Sequence, residues 1–193
     1  MKLPRLFGRK PSAVEILNGG SWKCSQCDLE HKGMFDLASD RPDQCSKDLP
    51  VEGNSAIRFE GNFLSEDFCV LEGEYFFVRG VLEIPVHGVA EKFGFGSWST
   101  LSRKNFDIYV DGFDDGEYVE DGPWFGWFST WIRGYTEKIP FECSVYPQPG
   151  RQCPTFEIAD DNHPLAVAQR LGISAEGILK IYADYGHEMD SSA

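Results

Sequence analysis

No stretch of the chain approaches the roughly 18 uninterrupted apolar residues of a membrane-spanning helix; Arg79 and Glu83 interrupt the longest candidate. The opening residues carry Lys2, Arg5, Arg9 and Lys10 among Leu3, Leu6 and Phe7, without the about 7 to 15 apolar residues that an export signal needs. Neither spanning nor export is expected, and residues 1–20 read as a basic arm followed by a short helix. Positive charge is scarce. Lys and Arg number 18 against 31 Asp and Glu, a formal net charge of −13, so the chain lacks the cations that displace counterions from a phosphate backbone or dock on anionic lipid. Nucleic acid and membrane are therefore not expected as partners, whereas a basic protein fits; plain solubility explains the same charge. Catalytic signatures are missing too. The chain has no Gly-rich phosphate loop, nucleophile elbow or paired-histidine zinc motif, and no internal repeat.

What is present is a cluster of soft-to-borderline metal ligands. Cys24, Cys27 and His31 sit so close in sequence that bringing them together costs little loop entropy. Six cysteines without an export signal imply a reducing, cytoplasmic setting, where thiols stay free or bind metal. Structural zinc takes four ligands in a tetrahedron, and three are local here. Cys45, in a flexible loop that can fold back, is the candidate fourth, with a water as the alternative; Cys69, between Phe68 and Val70, reads as a small buried hydrophobe. A water ligand would permit metal-assisted hydrolysis, with Glu30 or Asp28 orienting the histidine. Two thiolates make zinc a poorer Lewis acid, which favours a structural ion over a catalytic one; a metal-free site is the third reading.

The pattern along the chain predicts α+β: a mostly antiparallel sheet, an N-terminal zinc-knuckle-like hairpin and two C-terminal helices. Ser12 caps a short helix over 12–18 that Gly19 and Gly20 end. Residues 36–55 read as a surface loop. Strands are expected at 57–63, 67–71, 75–86, 93–101, 124–131, 141–146 and 155–159. Ser102 caps a helix over 103–110, and residues 111–122 form an acidic loop too charged to pack. Asn162 or His163 starts one final helix with Pro164 at its first position, and Ser174 starts another that ends before Gly186. The expected layout is a single domain over 21–186 with a disordered tail at 187–193.

The cysteine pair with its histidine joins FCVLEGEYFFVRGVLEIPVHG at 68–88, WSTLSRKNF at 98–106, WFGWFS at 124–129 and HPLAVAQRLGIS at 163–174. Together, in this order, they resemble the bacterial family called domain of unknown function 2199. The resemblance implies a compact, usually cytosolic bacterial protein with an element similar to a zinc knuckle, onto which Cys24, Cys27 and His31 map. Asp28 stands where members often carry glycine, which a left-handed turn tolerates.

Two further constellations stand out. Arg79, Glu83 and His87 recur every fourth residue, so on a strand they share one face and could serve acid/base chemistry or bind an anion; a structural ion pair is the plainer reading. Trp124 and Trp127 lie beside the acidic loop that holds Asp115, a combination suited to a basic partner unless the rings are core. The expected function is non-catalytic binding by a zinc-stabilised cytosolic module. The alternative is a small enzyme, a metal-assisted hydrolase or acid/base catalyst, using Arg79, Glu83 and His87.

Overall fold

A computed structural model of the chain describes residues 9–116, 118–135 and 140–189. The first eight residues of the expected basic arm, Glu117 of the acidic loop and residues 190–193 of the tail lie outside them. In chain order the elements are α1 (Ala13–Leu17), β1 (Ser21–Lys23), β2 (Glu30–Lys32), β3 (Leu37–Ala38), β4 (Phe63–Leu64), β5 (Phe68–Leu71), β6 (Tyr75–Ile84), β7 (Phe93–Leu101), α2 (Arg103–Asp111), β8 (Trp124–Phe128), β9 (Phe141–Tyr146), β10 (Thr155–Ile158), α3 (Pro164–Leu171) and α4 (Ala175–Asp184). They gather into two compact units. The larger comprises Asp36–Pro85 and Lys92–Gly172; the smaller draws on Met1–Phe35, Val86–Glu91 and Ile173–Ala193.

In the larger unit the strands run in the order β3-β7-β8-β9-β10-β6-β5-β4, and β6 also pairs with β7. That second pairing closes β6 to β10 into a five-stranded barrel. Neighbours are antiparallel except β10 with β6 and β3 with β7. The inward set follows the period of two that strands impose: Val78, Leu82 and Ile84 of β6, Phe93 and Phe95 of β7, Phe128 of β8, Val145 of β9 and Phe156 of β10 are all buried. Closure needs a small residue where β10 crosses β6, since a Cβ on Gly80 would sit 2.5 Å from the Phe156 ring. The expected helix after β7 forms as α2, capped by Ser102, and buries Phe106 and Tyr109. Phe106 meets Phe76 at 5.2 Å and Phe68 at 5.9 Å between ring centroids.

Three expectations for this unit need correction. The loop expected over 36–55 contributes Leu37–Ala38 to the sheet as a parallel partner of β7. Residues 57–62 are not strand; only Phe63–Leu64 pair, after a short 3₁₀ turn at Asn54–Ala56. The acidic segment after α2 does pack, through Tyr118, which is buried and donates its hydroxyl to Gly150 O at 3.1 Å. One aromatic ring offers enough apolar area to hold down a segment whose carboxylates stay in water. The end of the unit follows expectation: His163 caps α3, Pro164 opens it and Gly172 (φ +76°) follows it. Gln169 of α3 donates to Phe156 O and accepts from Ile158 N–H, tying the helix to β10.

In the smaller unit α1 begins with a capping box, Ser12 accepting from Glu15 N–H while the Glu15 carboxylate accepts from Ser12 N–H. β1 pairs antiparallel with β2, which sets Trp22 opposite His31. α4, capped by Ser174, buries Ile178, Ile181 and Tyr182. The Tyr182 hydroxyl donates to Phe35 O at 2.5 Å and accepts from Phe35 N–H at 2.8 Å. The phenol thereby satisfies both backbone groups of one residue inside an apolar setting.

Candidate metal centre

Between β1 and β2 the chain reverses through Asp28, whose φ of +58° is the left-handed conformation expected at this position. The reversal is closed by Cys24 N–H on Leu29 O at 2.9 Å. It also turns two backbone amides towards sulfur: Gln26 N–H and Cys27 N–H both lie 3.4 Å from Cys24 Sγ. Burial raises the Cys24 thiol's pKa, but those donations, Cys27 first and then Gln26, more than offset it and leave it below the ordinary thiol value. The turn thus directs two N–H donors at the Cys24 sulfur, which favours its charged form.

The fourth member of the site comes from the other end of the chain. After α4 the backbone runs along the turn, with Ser25 N–H on Glu188 O at 2.8 Å and Met189 bridged to Cys24. His187 N–H bonds Tyr182 O at 2.8 Å, which anchors the residue to the last turn of α4. Its side chain joins the three local ligands. One ligand atom from each of Cys24, Cys27, His31 and His187 lies within 4.8 Å of all the others. Zinc bonds of about 2.0 to 2.3 Å imply tetrahedron edges of about 3.3 to 3.8 Å. Cys27 Sγ and His31 Nε2 are already 3.3 Å apart. His187 Nδ1 is buried without a hydrogen-bond partner among the described residues. A buried imidazole nitrogen left unsatisfied, in a residue clustered with two sulfurs and a second imidazole, is a polar group that a metal bond, or a hydrogen bond supporting a ligated ring, would satisfy.

Aromatic packing holds the imidazoles. His31 packs against both Trp22, at 4.6 Å, and Phe35, at 4.8 Å, and meets His187 edge-on at 5.1 Å. Phe35 is stacked in turn on Tyr182 at 4.2 Å and 4°. Burial, and secondarily His187, lower the His31 pKa and so favour the neutral ring that can ligate. Two cysteine sulfurs and two imidazoles suit a tetrahedral zinc or another borderline-soft ion, not magnesium or calcium.

Of the expected ligands, Cys24, Cys27 and His31 come together and Cys45 does not join them. Cys45 belongs to the larger unit, buried with Leu64, Cys69, Phe77 and Trp98. Burial pushes its thiol pKa up, opposite to Cys24. The fourth candidate ligand is His187, from the segment expected to be a tail.

The family described as "Uncharacterized protein conserved in bacteria (DUF2199)" matches residues 23–173. The chain belongs to that family. The DUF2199 match includes Cys24, Cys27 and His31 and stops short of His187. No curated protein and no solved structure matches the chain. Among the described residues, no helix is long and apolar enough to cross a membrane.

The other residues singled out in this DUF2199 chain fall into separate surroundings. Arg79 faces Glu66 at 3.8 Å, and Glu83 pairs with Lys92 at 2.7 Å. His87 belongs to the smaller unit, its N–H on Ile173 O. Each of the two strand residues thus has an ionic neighbour of its own, because alternation places them on one face without supplying a shared cleft. Trp124 is core: β8 alternates, burying Trp124, Gly126 and Phe128 and leaving Phe125 and Trp127 outside. Asp115 is exposed, while its neighbour Asp114 pairs with Arg151 at 2.6 Å.

Proposed function

We propose that this DUF2199 protein is a non-catalytic binding module whose smaller unit is braced by one zinc ion held by Cys24, Cys27 and His31 of a knuckle-like hairpin together with His187 from the segment after α4. The observation that carries the reading is the convergence of four ligand atoms within 4.8 Å, drawn from both ends of the chain. Protein donors fill all four tetrahedral positions, and a site with no open position holds structure together instead of activating water. A staple is also what the unit needs. It is assembled from three separate stretches of chain, with strands of three residues each, and small units of this kind depend on disulfides or metals.

The remaining part of the reading is a soluble bacterial interaction protein in a reducing compartment, where the net charge of −13 suits a basic partner. Elemental analysis of protein purified without a metal-binding tag tests the brace. One zinc per chain, with a lower Tm after chelation, is expected. Metal-free protein whose Tm is indifferent to added zinc and to chelator would overturn it.

A further inference from the structure

We infer that the outer face of the larger unit carries a groove for an arginine-bearing segment of a basic partner protein, with Trp127, Tyr75 and Glu72 as its recognition residues. This names a surface for the binding role proposed above and rests on that part of the reading, not on the metal.

Strand register builds the groove. Phe77 of β6 lies opposite Thr100 of β7. The pairing of Ser99 with Phe128 brings Trp127 against Thr100, and Trp127 N–H reaches Thr100 Oγ1 at 3.0 Å. Trp127 in turn faces Glu142 of β9. Paired residues project to the same side of a sheet, so this row forms an aromatic floor with a carboxylate at the β9 end. Tyr75, two residues before Phe77, shares its face, and Glu72 rises from the β5–β6 turn. Leu71, Glu72, Tyr75, Phe77, Thr100 and Trp127 line a cavity of about 470 Å³, and Glu142 stands beside Trp127 on the next strand. Trp127 is 42% exposed and Tyr75 53%; large rings left in water beside an apolar cleft mark an interaction site.

The turn supplies an independent observation. Glu74 N–H bonds Leu71 O, and both residues between them have positive φ, +59° at Glu72 and +70° at Gly73. This is a type I′ turn, whose first central position favours Asn, Asp or Gly. A glutamate there strains the backbone, and the strain keeps a carboxylate on the rim of the groove. The Glu72 and Glu142 carboxylates have no hydrogen bond or ion pair with any described residue. Two unengaged carboxylates bracketing indole and phenol faces complement a guanidinium, which stacks on rings and bonds to carboxylates at once. The chain uses that stacking internally, with the Arg103 guanidinium 4.4 Å from the Phe59 ring centroid.

The test is fluorescence anisotropy of a labelled, end-capped hexa-arginine peptide at near-physiological salt, with zinc content assayed on each preparation. Trp127→Ala and Glu72→Gly are each expected to weaken binding about fivefold or more. Glu72→Gly should do so with Tm unchanged or raised, because it relieves the turn. Asp111→Asn combined with Asp115→Asn, which removes charge from the acidic loop, should weaken binding less than about twofold. Binding that ignores Trp127→Ala and Glu72→Gly, or falls equally with the loop variant, overturns the groove while leaving a basic partner in place. No binding by the unaltered protein overturns the basic-partner reading with it. A rise in affinity on removing residues 1–9 would assign the groove to the chain's own basic arm and overturn the assignment to a partner.

Discussion

The two units solve the same problem by opposite means. The larger closes β6 to β10 on themselves, so those five strands have partners on both sides and the interior is filled by Leu82, Ile84, Phe93, Phe95, Phe128 and Phe156. The smaller has two strands of three residues, two helices and a set of rings around two thiols. A barrel distributes its stability over many side chains; a small unit gathered from three stretches of chain concentrates it in a few. Damage is expected to follow that difference, spreading through the barrel but collapsing the smaller unit.

The largest effect is expected from replacing Cys24 and Cys27 together by serine. Zinc should be lost, the Tm should fall by about 5 °C or more, and amide exchange should accelerate across 12–34 and 175–188 while β6 and β7 stay protected. Uniform acceleration in both units would break the comparison. Within the barrel, Gly80→Ala forces a Cβ to within 2.5 Å of the Phe156 ring and Pro154 O. A loss of about 1 to 3 kcal/mol in urea unfolding is expected, with zinc content unchanged.

A smaller effect is pH-dependent. His163 Nδ1 accepts from Leu165 N–H at the start of α3, and its ring stacks on Phe141 at 4.4 Å. Burial lowers its pKa, against an opposing pull from Asp160. The folded state therefore favours the neutral ring, so this group's stabilisation is present above the ordinary histidine value of about 6.5 and is lost as pH falls through the lowered one. His163→Asn keeps a capping side chain without the titration. Between about pH 7.5 and 5.5 the unaltered protein should lose more urea stability than His163→Asn, and equal losses would remove this account of the cap. Smallest of all, Asp28→Gly relaxes a left-handed aspartate and should change stability by no more than about 1 kcal/mol, with zinc retained.

What could be read from the residues alone was what is local. Ser12, Ser102 and Ser174 each announce a helix by a hydroxyl one residue before an apolar period, and each accepts the expected N–H. Cys24, Cys27 and His31 are legible for the same reason, their spacing being shorter than any loop that could separate them. His187 was not, because nothing near it repeats and its ring contacts reach far along the chain, to His31 at 5.1 Å and Phe35 at 5.4 Å. One faint signal exists, since the chain has only four histidines and this one follows the glycine that ends α4. Cys45 misled because sulfur suggests metal, while its surroundings, Leu64, Phe77 and Trp98, are visible only once the loop has folded over the barrel. Barrel closure was hidden likewise. The parallel pairing of β10 with β6 depends on sheet curvature, and its one local mark is Gly80 opposite a large ring.

Zinc content of His187→Ala and Cys45→Ser, measured by elemental analysis beside the unaltered chain, addresses the brace most directly. The expected result is one zinc per chain in the unaltered protein and in Cys45→Ser, and loss of most of it in His187→Ala. Zinc retained without His187 but lost without Cys45 would contradict the site described here.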